Sequence, residues 1–168
     1  RRRGREYVFA VHVMDSPALS LELGQDVETW LAEGLVDALV VGMGYLPYEL
    51  RLDQWLELGR RYGVPVYPSV NMSTYCHWSR DVLGRESANA EAIRASSAYY
   101  WQEGADGLYF FNWFVACEDA QFGLPFDAAY APLREIGGPD ALARKDKLYS
   151  IQPSAQSGYC CHGSAAAW

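Results

Sequence analysis

The chain has 168 residues, of which 50% are hydrophobic and 14% aromatic, enough for one well-buried domain and too apolar for a disordered chain. Its formal charge of −7 argues against nucleic acid as the main ligand, because phosphate binding needs a basic face. No apolar stretch reaches the roughly 18 residues of a membrane span, so we expect no membrane partner.

The first third of the sequence predicts a strand, a loop and a helix. Residues 6–13 alternate weakly and are rich in Tyr, Val and Phe, which favours a strand. Residues 14–24 are interpreted as a loop with a turn at Ser16 and Pro17. Asp26 is a good N-cap for a helix that runs to Gly34.

The next unit repeats this order. Residues 38–42 are continuously apolar and predict a buried strand. A loop at 43–51 follows, and Asp53 is expected to cap a helix that ends at Gly63. Residues 64–70 predict the third strand.

The second half begins with a long loop at 71–85 and the longest predicted helix, at 86–103. A fourth strand is expected at 108–111, then a loop at 112–125 and a helix at 127–136. Each of the four strands is therefore followed by a loop and a helix.

The C-terminal part adds no further strand to this pattern. Residues 140–145 predict a short turn, whereas residues 152–168 are rich in Ser, Gly and Ala and have no periodicity. We therefore interpret residues 1–151 as one domain and residues 152–168 as a tail or linker.

One sequence pattern occurs twice and indicates the fold class. The stretches 30–42 and 101–112 each contain a tryptophan, a glycine, an aspartate and then an apolar run. A glycine just past a helix and a continuously apolar strand are typical of repeated α-to-β joints in a parallel sheet. Four βα units are half of the eight in a closed barrel, so we predict an α/β fold that is a partial TIM (β/α)8 barrel, with an open sheet as the alternative.

Cofactor motifs are missing from the sequence. No GxGxxG turn follows the first strand, so a dinucleotide fold lacks its main signal. None of the four cysteines forms a CxxC pair, which favours free thiols over a zinc site: Cys76, Cys117, Cys160 and Cys161. We expect no metal and no cofactor.

Several joints resemble those of a known family. The stretches are 26–37 (DVETWLAEGLVD), 64–70 (VPVYPSV), 103–113, 133–137 and 140–147. They are similar to segments of the family 10-like glycosyl hydrolases, which are bacterial (β/α)8 proteins. The resemblance covers roughly residues 5–151 and implies the C-terminal half of such a barrel, with the first strand near the fifth of eight.

Glycoside hydrolysis needs two carboxyl groups across the scissile bond, and two carboxylates lie near predicted strand ends. Asp15 follows the first strand, although it is also a suitable turn residue before Ser16. Glu49 lies in the second loop, although it also suits the first turn of a helix. We predict Asp15 and Glu49 as the acid–base pair, with a partner carboxylate in further strands as the alternative.

Other polar and aromatic residues near the strand ends are candidates for sugar binding. His12 is either a hydrogen-bonded structural histidine or a substrate ligand. Asn71 ends the third strand, where some relatives in the resembling family carry an acid. Flat aromatic rings in these loops suit the apolar face of a sugar. The predicted substrate-binding set is His12, Tyr45, Asn71, Tyr75, Trp78, Asn112 and Trp113.

The resulting prediction is a glycoside hydrolase that acts on a polysaccharide or oligosaccharide. The alternative is a non-catalytic glycan-binding or scaffold module derived from such a barrel. An aldolase or isomerase is disfavoured because the only lysines, Lys145 and Lys147, lie beyond the last predicted strand. A half barrel exposes its sheet edges, so we expect a protein partner, which is either the remaining barrel half or another copy of the chain.

Overall fold

A computed structural model describes residues 7–42, 50–71, 87–111 and 130–149. The elements in chain order are β1 (Ala10–Val13), α1 (Pro17–Glu22), α2 (Val27–Ala32), β2 (Ala38–Val41), α3 (Asp53–Tyr62), β3 (Val66–Asn71), α4 (Ser87–Glu103), β4 (Tyr109–Phe111), a 3₁₀ helix (Ala131–Arg134) and α5 (Pro139–Leu142).

The four strands form one parallel sheet in the order β1-β2-β3-β4. Each strand therefore pairs with its neighbour in the sequence, and a helix-bearing connection joins every pair. The sheet is curled, since side chains of β1 contact side chains of β4 although the two strands are not neighbours. The α/β class and the half-barrel arrangement of four parallel strands are thus confirmed.

The two faces of the sheet have different surroundings. Side chains alternate between the faces of a strand, and on the outer face they pack against the helices. The outer-face residues Val13, Leu39 and Val70 are almost completely buried. Trp55 from α3 and Tyr100 from α4 are buried in the same core. The opposite, inner face is the concave side of the curled sheet, and no described helix covers it.

The repeated aspartates have the same structural role. Asp106 Oδ2 accepts a hydrogen bond of 2.8 Å from the backbone N–H of Val66, and the Asp106 N–H donates to the Val66 carbonyl at 3.0 Å. Asp37 makes the same reciprocal pair with Phe9, at 2.7 and 2.9 Å. Each aspartate thus joins the amino end of its own strand to the neighbouring strand, β1 with β2 and β3 with β4.

Glycines follow the helices that precede β2, β3 and β4. Gly34, Gly63 and Gly104 all have positive φ values, of 65°, 69° and 96°. This left-handed conformation suits a residue without a Cβ. The predicted glycine stops are confirmed.

Two features near the N-terminus differ from the sequence prediction. The stretch 14–24 is not only a loop, because it contains helix α1. Ser16 Oγ caps this helix by accepting from the N–H of Leu19, and Pro17 occupies the first turn, where its missing N–H costs nothing. Strand β1 begins at Ala10 rather than at residue 6, since Phe9 pairs with Asp37 outside the ladder.

Smaller corrections apply to later elements. Asp53 is the first residue of α3 rather than its cap, and it forms an ion pair with Arg51. Strand β3 covers 66–71 instead of 64–70. Within the predicted helix 127–136, the described part includes the 3₁₀ helix, and the predicted turn at 140–145 includes α5.

The segment 130–149 docks onto α4 through buried apolar residues and through polar contacts around them. Glu135 accepts hydrogen bonds from Arg94 at 2.6 Å and from Lys145 at 3.1 Å. Trp101 Nε1 donates to the Ile136 carbonyl at 2.8 Å, and Ile136 is buried. Burial alone would raise the pKa of Glu135, but the hydrogen bonds from Arg94 and Lys145 outweigh it, so the pKa lies below its ordinary value.

Replacing Asp106 by Ala should lower the free energy of unfolding by about 1–3 kcal/mol, because the N–H of the buried Val66 loses its acceptor. Asp37→Ala should cost less, since Phe9 is 58% exposed and water can replace the carboxylate. Asp106→Asn should retain most of the stability, because the amide oxygen still accepts. Urea denaturation of the three variants measures this order, and an equal loss for Asp37→Ala and Asp106→Ala would contradict it.

Replacing Glu135 by Gln should lower the free energy of unfolding at neutral pH by about 1 kcal/mol. The folded-state pKa of Glu135 is lowered, so its contribution is complete above the unfolded pKa near 4.5 and is lost as the pH falls through the lower folded value. The difference between the variant and the unmodified protein should therefore shrink below pH 4.5.

The matched control for Glu135→Gln is Glu57→Gln, because Glu57 makes an exposed i,i+4 ion pair with Arg61. Such pairs contribute little, so this variant should unfold like the unmodified protein at every pH. Urea titrations at several pH values test both variants. A loss for Glu135→Gln that is independent of pH would show that the carboxylate charge is not its cause.

Candidate functional site on the inner face of the sheet

The carboxyl ends of the four strands meet at one edge of the sheet, and the sequence predicts that the site residues lie near this edge. His12, Asp15 and the backbone of Asn71 are described. The other predicted site residues lie outside the described residues: Glu49, Tyr45, Tyr75, Trp78, Asn112 and Trp113.

Asn71 is the last residue of β3 and is in register with Phe111, the last residue of β4. Its predicted place at a strand end is therefore confirmed. Asn112, the next residue in the sequence after β4, lies outside the described residues. The register thus makes the ends of β3 and β4 neighbours in a common rim.

His12 lies on the inner face near the end of β1 and is exposed. Its Nε2 donates a hydrogen bond to the carbonyl of Gly42, the residue that follows β2. Its ring centroid lies 5.6 Å from that of Tyr109 and 5.8 Å from that of Phe111, both on β4. The structural and the ligand-binding interpretation of His12 are therefore compatible, since one ring nitrogen is bonded and the side chain remains accessible.

Aromatic rings on the inner face form the part of the site that the sequence analysis missed. Tyr109 is 40% exposed, and Phe111 is half-buried. Tyr67 of β3 shares this face, where a Cβ at position 107 would lie 2.6 Å from its ring, so Gly107 allows the ring to lie close. Alternation along β3 is a signal that could place Tyr67 on one face, whereas the continuously apolar run of β4 suggests a strand covered on both faces and gives no such signal.

The inner face also carries a buried hydroxyl group, that of Ser69 on β3. Ser69 is in register with Tyr109, and its alternation places it on the inner face with Tyr67. Ser69 Oγ is buried and has no hydrogen-bond partner within the described part of the chain. A buried hydroxyl without a partner costs free energy, so Ser69 Oγ is a polar group on this face that a ligand could satisfy.

Asp15 lies two residues beyond the end of β1 and is half-buried. Its backbone carbonyl accepts a hydrogen bond of 3.0 Å from Nε1 of Trp55, a fully buried residue of α3. One carboxylate oxygen of Asp15 is itself buried. The core thus fixes the backbone of Asp15 just beyond the end of β1. This position is compatible with both predicted roles of Asp15, the catalytic acid and the turn residue.

The two lysines lie away from the strand ends. Lys145 pairs with Glu135, and Lys147 Nζ donates to the carbonyls of Leu142 and Lys145 in the segment docked on α4. Neither is therefore available as a Schiff-base lysine at the rim. Across residues 7–42, 50–71, 87–111 and 130–149, no group of three His, Cys, Asp or Glu side chains could hold a metal ion. Over the same ranges, no helix has the length and apolar character of a membrane span.

No protein-family model matches the chain, and no curated protein matches it either.

Proposed function

We propose that this chain is half of a (β/α)8 barrel of the glycosyl hydrolase type and binds a polysaccharide or oligosaccharide on its inner face. The observation that supports it best is the group of His12, Tyr109 and Phe111 beside the carboxyl edge of a parallel sheet. In barrel enzymes this edge is where substrates bind. Accessible rings beside a polar group suit a sugar, which has an apolar face and a rim of hydroxyls.

In this proposal the acid–base pair is Asp15 and Glu49. Hydrolysis needs one carboxyl group that protonates the leaving oxygen and a second that acts as nucleophile or activates water. Asp15 has a suitable place after β1, and the hydrogen bond from Trp55 holds its backbone there. The positions that would bind hydroxyls or stack on sugar rings are His12, Tyr45, Asn71, Tyr75, Trp78, Asn112 and Trp113.

A non-catalytic glycan-binding module is the second candidate, and Asn71 favours it. Asn71 occupies the last position of β3, at the edge where the resemblance to family 10-like glycosyl hydrolases implies an acid. A neutral amide cannot transfer a proton in the way a carboxylic acid does. The aromatic inner face is equally suited to this candidate.

The protein partner proposed for this chain is a set of four further strands, from the remaining barrel half or from a second copy. In the described residues β1 and β4 each pair with one strand only, so each leaves a free edge. Immediately before β1 in the chain, three apolar residues are more than half exposed: Tyr7, Val8 and Phe9. Free edges beside exposed apolar residues favour pairing with another sheet.

The hydrolysis test compares the full chain with the double variant Asp15→Asn, Glu49→Gln on a panel of plant and algal polysaccharides. Loss of general acid–base catalysis should reduce the rate at least about 100-fold. The control is Glu57→Gln, Asp140→Asn, which removes the same charges from α3 and α5, away from the strand ends.

Four results of this screen are informative. Activity lost only in the Asp15, Glu49 variant supports the hydrolase and its acid pair. Activity retained in that variant would move the acid pair to the further strands. Glycan binding without any hydrolysis would favour the binding module, and the absence of both would contradict the proposed function.

Sedimentation velocity tests the proposed assembly. Two copies of this chain supply the eight strands of a closed barrel, so we expect a dimer at high concentration when no other half is present. A monodisperse monomer that unfolds cooperatively at high concentration would contradict the proposal that the free edges need a partner.

A further inference from the structure

Gly42 directly follows β2, and its carbonyl group contacts a side chain of the inner face. Its N–H donates to the carbonyls of Val13 at 3.1 Å and Met14 at 3.3 Å, which holds the residue against the end of β1. Its φ is 97°, a left-handed value that a residue with a Cβ rarely adopts. In this conformation the Gly42 carbonyl accepts the hydrogen bond from His12 Nε2.

This bond determines which nitrogen of the neutral His12 ring carries the hydrogen. A carbonyl oxygen can only accept, so Nε2 must be the N–H nitrogen. The other nitrogen, Nδ1, then has a free lone pair and acts as an acceptor. Within the described part of the chain, the Gly42 carbonyl is the one polar partner of the His12 ring, and the side chain is exposed.

The surroundings of His12 select the kind of donor that can reach Nδ1. The rings of Tyr109 and Phe111 lie 5.6 and 5.8 Å from the imidazole and are its apolar neighbours. A matching ligand combines an apolar ring face with a hydroxyl at its edge, which is the chemistry of a neutral sugar. A carboxylate ligand is a poor match, because it has no hydrogen to donate to Nδ1.

We propose that Gly42 holds His12 as the Nε2–H tautomer, so that Nδ1 accepts a hydrogen bond from a hydroxyl of a neutral sugar lying against Tyr109 and Phe111. This inference rests on the proposed glycan-binding function and adds a residue role to it. His12 is the ligand-binding residue, and Gly42 is a positioning residue that acts through it.

Nitrogen NMR of the full chain tests the tautomer without any ligand. The chain has three histidines, so the ring signals of His12 are those that disappear in His12→Phe. For the neutral form of the His12 ring, we expect a protonated Nε2 and an unprotonated Nδ1. A His12 ring protonated on Nδ1 would overturn the inference.

Two glycine variants separate the carbonyl contact from backbone strain. Gly42→Ala should lose the tautomer preference, because the left-handed φ becomes unfavourable and the carbonyl moves. Gly24→Ala introduces similar strain at φ 84°, in a region with nothing within 4 Å, and should keep the tautomer. An unchanged His12 tautomer in a folded Gly42→Ala protein would show that Gly42 does not determine it.

Titration with cellohexaose, xylohexaose and laminarihexaose tests the ligand. Binding should shift the Nδ1 resonance and leave Nε2 protonated, and His12→Phe should weaken binding about tenfold while keeping an aromatic ring. Binding without a change at Nδ1 would overturn the inference alone. If none of the three sugars binds to a chain with the expected tautomer, the glycan ligand is wrong, and both the proposed function and the role of Nδ1 are contradicted.

Discussion

The register of the four parallel strands is the constraint that determines which side chains lie on each face of the sheet. A shift by one residue would exchange the inner and outer faces of a strand, and hydrogen bonds at the strand starts oppose such a shift. Asp37 and Asp106 act there, each through a reciprocal pair of hydrogen bonds with the neighbouring strand. With this register Val13, Leu39 and Val70 face the helices, and His12 and Tyr109 share the opposite face.

Side chains of the outer face form the core together with the helices. The residues of the inner face are therefore available for the candidate site. Trp55 illustrates the connection, since it is fully buried in the core and its indole N–H holds the backbone of Asp15 beyond β1. The core thereby positions a carboxylate at the rim. On the inner face, the curl of the sheet brings a histidine from β1 against two rings from β4. The helices bury the outer face, whereas His12 and Tyr109 on the opposite face remain exposed.

The repeated units could be predicted from the sequence because their signals are local. Gly34 and Gly104 mark helix ends through their backbone preference alone, and the apolar runs after them mark strands. Helix α1 was missed because Ser16 and Pro17 suit a turn as well as a helix start, and the six residues of α1 give little periodicity to distinguish the two.

The inner-face group was harder to predict because it depends on contacts between distant strands. A run such as residues 108–111 gives no sign of which side faces the helices when every position is apolar. The His12 contacts with β4 arise from sheet curvature, which the sequence of either strand does not specify. His12 and Asp15 were predicted at the correct strand end, but the bond from Gly42 that orients His12 became evident only from the structure.

Affinity electrophoresis with the glycan panel and two tyrosine variants tests most directly whether the inner face binds sugars. Tyr109→Ala removes a ring from the inner face, whereas Tyr149→Ala removes an exposed ring from the segment docked on α4. We expect Tyr109→Ala to weaken retention about tenfold, equivalent to about 1.4 kcal/mol, and Tyr149→Ala to leave it unchanged. Equal retention of both variants and the unmodified chain would contradict glycan binding on this face.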